Sequence, residues 1–178
     1  MAKAQKNNKI TARKPYKKSL IPFISEKPRN IRTPPADQFR IVARSSRPGP
    51  FSTDYTPYMR DPMRDYTDPE IEVIVLMWSA QVGKTTIIEN MIGYSIHFDP
   101  SPMFMVHPDE ASISDFSQEK LMPMIEETRV LSNLVRMPKP GKTGSTERKK
   151  SFPGGYLALV SANSPASLRG RSVKRIFF

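Results

Sequence analysis

The chain has 178 residues, of which 38% are hydrophobic, enough to bury one core of ordinary size. It has no run of eighteen apolar residues and no signal peptide, which argues against crossing or spanning a membrane, and the absence of cysteine excludes disulfides and thiolate metal sites. The formal charge of +11 is unevenly placed: residues 1–50 hold thirteen Lys/Arg against two Asp/Glu, and residues 51–178 hold fifteen of each.

Charge and composition divide the sequence into a basic, proline-rich leader, residues 1–50, and an electrically balanced domain, residues 51–178. Residues 1–19 carry seven basic side chains and no acid, with few apolar residues between them. Such a segment is predicted to stay disordered, and its functional reading is a weak, salt-dependent contact with a phosphate backbone. Residues 20–50, with Thr33-Pro34-Pro35 and Arg47-Pro48-Gly49-Pro50, are predicted to form an extended strap over the domain surface or a linker. A short helix is predicted from Pro57, since proline suits a first helical position. Tyr55 and Tyr58 near it are candidates to hold a nucleobase.

The stretch from Ile71 to Tyr94 organises the rest. An apolar run, Ile71 to Met77, is predicted to be a buried strand. It ends at a polar turn closed by Gly83-Lys84-Thr85. A helical pattern follows, with Ile87, Ile88, Met91 and Ile92 at three- and four-residue spacings. Strand, turn and helix in this order are the context of a phosphate-binding loop. The amides of a helix's first turn lack intrahelical acceptors, and the helix dipole adds positive charge to them. Curled around an anion they form a nest, in which Gly83 permits close approach, Lys84 supplies a mobile cation and Thr85 offers a hydroxyl to magnesium. The three letters alone are weak evidence, and the sequence repeats them at Gly141-Lys142-Thr143, where neither an apolar strand nor a helix flanks them. The usual pattern also has a glycine five residues before Gly83, and that position is Trp78.

Beyond the helix, Met103 to Val106 is predicted to be a second parallel strand, completing a right-handed βαβ unit. Pro108-Asp109 is predicted to open a helix with an apolar face of Ile113, Phe116, Leu121, Met124 and Ile125, kinked or split at Pro123. Residues 137–150 read as a polar loop. Leu157 to Val160 is a further apolar strand, and Val173 to Phe178 begins another. The two histidines, His97 and His107, read as structural rather than as metal ligands.

Four stretches, in order, resemble one family: Thr56-Pro57-Tyr58-Met59-Arg60, Ser79 to Thr85, Leu121 to Glu126, and Phe152 to Leu168. The family is the large, ATPase–nuclease subunit of tailed-phage terminase, of the lambda-like group, and the likeness covers about residues 45–178. It implies an α/β fold of the P-loop NTPase (ASCE) type, a parallel sheet flanked by helices. It implies a motor that cuts concatemeric double-stranded DNA and drives it into a procapsid by ATP hydrolysis. The partners implied are a terminase small subunit, the portal ring and further copies of the motor, in the cytoplasm of a bacterial host. By the same resemblance Ser79, Ala80, Gln81, Val82, Gly83, Lys84, Thr85 and Thr86 bind the phosphates of ATP, Thr85 binds Mg2+, Tyr58 or Tyr55 holds adenine, and Arg169 or Arg171 senses the γ-phosphate.

The resemblance also implies an acidic pair after the last strand and a nuclease half. The sequence ends at Phe178 before either, so the sheet is expected to be incomplete at that end and the chain alone to bind nucleotide without turning it over. Two alternatives are a helicase-like ATPase acting on nucleic acid and a non-enzymatic DNA-binding prophage remnant.

Overall fold

The computed structural model describes residues 35–42, 44, 47–136, 148–164 and 168–178. The basic segment 1–19, the second Gly-Lys-Thr at 141–143 and most of the polar stretch 137–150 lie outside them.

Three parallel strands form the centre. β3 (Pro102–His107) pairs with β5 (Gly155–Ser161) on one side and β6 (Arg175–Phe177) on the other. β4 (Lys149–Phe152) adds an antiparallel edge, giving the order β4-β5-β3-β6. The apolar runs predicted at Met103–Val106 and Leu157–Val160 are thus two adjacent strands with a shared register, Phe104 opposite Ala158 and Val106 opposite Val160. β4 was not foreseen, because Lys149-Lys150-Ser151 reads as solvated loop. It is recruited by the turn Pro153-Gly154, whose glycine takes a positive φ of 87°. Gly155, the next residue, lies against the Ser101 backbone so closely that no side chain fits there.

The core lies between this sheet and the helices, among them the short α2 (Arg60–Asp65), which buries Met63. α3 (Lys84–His97) buries Ile87, Met91, Ile92 and Ile96 against it. The predicted apolar face Ile113, Phe116, Leu121, Met124 and Ile125 is buried throughout. Pro123 does not split its helix. Instead α4 (Glu110–Asp115) continues through a π-helical turn, Phe116–Leu121, into α5 (Met122–Glu127). Proline has no N–H and its ring crowds the carbonyl four residues back, and the wider π turn just before it relieves both. A short α6 (Arg129–Ser132) follows.

Two further findings differ from the sequence reading. The described part of the stretch expected to be an extended strap over the domain surface or a linker does lie on the domain, but as a helix and a short ribbon rather than as an extended strap. α1 (Ala36–Phe39) leads into a two-residue ribbon of β1 (Ile41–Val42) and β2 (Gly49–Pro50). Arg40 forms a buried ion pair with Glu89 of α3, and Phe39 packs edge-on against His97 at 5.2 Å. Charge density had outweighed the apolar Phe39, Ile41 and Val42 in the reading.

The second difference is the predicted strand Ile71–Met77. Among the described residues it joins no ladder. Its side chains still alternate: Ile74, Leu76 and Trp78 pack against the core, whereas Val73 (77% exposed), Val75 (71%) and Met77 (91%) face outward. A continuous apolar run predicts burial on both faces. Without a hydrogen-bonded neighbour, only one face of the ribbon is covered.

Candidate phosphate-binding site

The fold sets where the turn lies. α3 is 14 residues long, about 21 Å. Its C-terminus is joined to β3 through only residues 98–101, so the helix runs back antiparallel to that strand. Its N-terminus therefore lies toward the carboxyl ends of the parallel strands, where open α/β sheets bind ligands.

The turn has the backbone of an anion nest. Gln81 has φ of 59° and Gly83 of 84°, both left-handed, with Val82 between them. Left-handed geometry costs glycine nothing, and Gln81 is the one described non-glycine residue that adopts it. Gly83 is the N-cap of α3, and no side chain caps that helix. The first amide of α3 with a backbone acceptor is that of Ile87, which donates to the Gly83 carbonyl at 3.1 Å. Among the described residues nothing accepts from the amides of Lys84, Thr85 and Thr86, the groups a helix start leaves for an external acceptor. By contrast, α4 is closed by its own chain, with Asp109 accepting from the Ser112 amide at 2.7 Å. That bond holds the Asp109 carboxyl below its ordinary pKa.

The side chains are equally placed for an anion. Ser79, Lys84 and Thr85 are exposed. The Lys84 ammonium donates to the Trp78 carbonyl at 3.1 Å, which holds the cation across the mouth of the turn. The Thr85 hydroxyl has no carboxylate cluster beside it: no group of three or more acidic or histidine side chains suited to a metal occurs among the described residues. A magnesium ion at Thr85 would therefore take its other oxygens from phosphate and water, a usual arrangement for this ion. The donor set fits a magnesium-bound polyphosphate.

Tyr58 belongs to the same site. Its hydroxyl donates to the Val82 carbonyl at 3.0 Å and its ring meets Trp78 edge-on. Tyr55 lies elsewhere, under the Arg47 guanidinium at 3.6 Å. Arg169 and Arg171 are exposed in the crossover between β5 and β6, and no described contact joins either to the turn. Met59 is the residue the sequence reading missed: it is buried beneath Gly83. Its position directly after Tyr58 was the available signal. A shallow, solvent-open hollow lies between α1, α3 and α6, lined by Phe39, Arg40, Asn90, Tyr94 and Phe98 among others.

His107, at the end of β3, and Asp99, before it, are structural. Burial pushes the His107 imidazole below its ordinary pKa, with Asp109 opposing. Burial alone would raise the Asp99 carboxyl, but hydrogen bonds from Arg175 and Lys174 outweigh it and hold it low. This cluster ties the start of β6 to the end of α3.

A mainly parallel sheet with helices packed against it defines a mixed α/β protein. The family model described as "Phage terminase large subunit gpA, ATPase domain" matches residues 45–178, and the chain belongs to that family. No curated protein and no solved structure matches it. No described helix is long and apolar enough to cross a membrane. Membership links the chain to phage DNA packaging.

Proposed function

We propose that this chain is the ATP-binding part of a packaging motor, holding Mg-ATP at residues 79–86. The observation that carries this is the α3 mouth, where three consecutive amides without an acceptor among the described residues lie beside the Lys84 ammonium and the exposed Thr85. The amides of Gln81 to Thr86 cradle the phosphates, Lys84 leaves the Trp78 carbonyl to reach the terminal ones, and Thr85 orients its hydroxyl to magnesium. Tyr58 offers the exposed part of its ring to adenine. Arg169 is the candidate sensor of the γ-phosphate. In the complete motor, ATP hydrolysis is the source of the free energy that moves double-stranded DNA into a procapsid, with a small subunit, the portal and further motor copies as partners in the host cytoplasm.

Calorimetric titration of the full chain with Mg-ATP tests the reading. A hydrogen-bonded ion contributes about 1.5–3 kcal/mol. Lys84→Ala is therefore expected to weaken binding by about ten- to a hundredfold. Equal affinity in the two proteins would refute the assignment of the turn.

A further inference from the structure

The side of the turn away from the helix mouth is held by two consecutive side chains. Tyr58 and Met59 come from one short 3-10 turn, Pro57–Met59. Tyr58 touches the loop at both ends: its ring lies edge-on to Trp78, centroids 5.2 Å apart, and its hydroxyl donates to the Val82 carbonyl at 3.0 Å. The Met59 methyl fills the space where Gly83 would carry a Cβ.

The Val82 contact has a geometric consequence. In a planar trans peptide the carbonyl of one residue and the N–H of the next point in opposite directions. A hydroxyl that fixes the Val82 carbonyl on its own side turns the Gly83 amide to the other. The left-handed residues on either side, Gln81 and Gly83, are what a nest needs to bring successive amides together. Were this peptide to flip, a carbonyl oxygen would face the anion in place of a donor. We propose that Tyr58 is a positioning residue for the polyphosphate: its hydroxyl locks the Val82–Gly83 peptide so that the Gly83 amide faces the anion. This rests on the assignment of residues 79–86 to phosphate, and it is separate from any contact of the ring with a base.

The test uses tripolyphosphate, which has no base to stack, beside ATP, and the variant Tyr58→Phe, which keeps the ring and removes the hydroxyl. Trp78 is the only tryptophan in the chain and touches Tyr58, so its emission reports binding at the loop itself. One neutral hydrogen bond predicts about a three- to tenfold weakening. Tyr58→Phe is expected to weaken tripolyphosphate and ATP by the same factor, with any fall in urea midpoint too small to unfold a measurable fraction of the chain under the binding conditions. Unchanged tripolyphosphate affinity in Tyr58→Phe overturns the positioning role while leaving the phosphate assignment standing. A lowered urea midpoint accounting for the loss overturns it in favour of a structural role. Failure of the wild-type chain to bind tripolyphosphate overturns the phosphate assignment and this inference together.

Discussion

Gly83→Ala places a single methyl group where the fold leaves no room for one, and its cost divides into two parts. Gly83 has φ of 84°, so alanine there bears the left-handed penalty of about 1–2 kcal/mol. The new Cβ also lands on the terminal methyl of Met59, which is buried. Overpacking costs about 1–3 kcal/mol, and a flexible methionine end places this at the lower limit. The expected total is about 2–3 kcal/mol, read as a lowered midpoint in urea denaturation. A cycle with Met59→Ala separates the parts. With the methionine truncated, Gly83→Ala should cost only the backbone term, a coupling of about 1 kcal/mol between the sites. A cost below about 0.5 kcal/mol for Gly83→Ala, or one identical in both backgrounds, would refute the reasoning. The first result would mean the turn does not hold its left-handed backbone, and the second that Met59 does not support it.

Two further outcomes follow from groups away from the turn. Arg40→Met should cost about 3–5 kcal/mol, because it strands the Glu89 carboxylate in a buried site, and adding Glu89→Leu should recover most of the loss. Urea midpoints of the two proteins check this, and a single variant as stable as wild type would show that residues 35–42 do not dock on α3. His107 has a folded-state pKa below its ordinary value of 6.5, so its contribution is present above pH 6.5 and is lost as pH falls through the lowered value. Stability should therefore decline on acidification below pH 6.5, by at most about 1.4 kcal/mol per pH unit for one proton. In His107→Asn that decline should flatten, and an unaltered slope would contradict the burial of the imidazole.

The legible parts of the sequence were those in which one local signal agreed with its surroundings. β3, β5 and the buried face of α4 and α5 stood out because apolar spacing alone specifies them and the tertiary structure buries what the spacing offers. The Gly-Lys-Thr turn was legible because its helix pattern begins at once, at Ile87, and because glycine is the residue that tolerates the N-cap geometry seen at Gly83. β4 was hidden because edge strands need few apolar residues, and Lys149 and Lys150 resemble solvent-facing loop.

The ribbon before the turn shows where the reasoning needed more than periodicity. Ile71 to Met77 alternates Glu72 with apolar residues at only one position, so burial on both faces was the natural expectation. Whether a face is covered depends on neighbouring strands, which no window of seven residues contains. What the sequence did carry was the sense of alternation: Ile74, Leu76 and Trp78 share one face, and that face packs on the core. Trp78 then closes the argument for the site. It stands where a glycine is usual, and its indole meets the Tyr58 ring while its carbonyl holds the Lys84 ammonium. A small residue there would leave Tyr58 without that ring contact. The departure from the common pattern at position 78 and the aromatic at position 58 are therefore two halves of one contact.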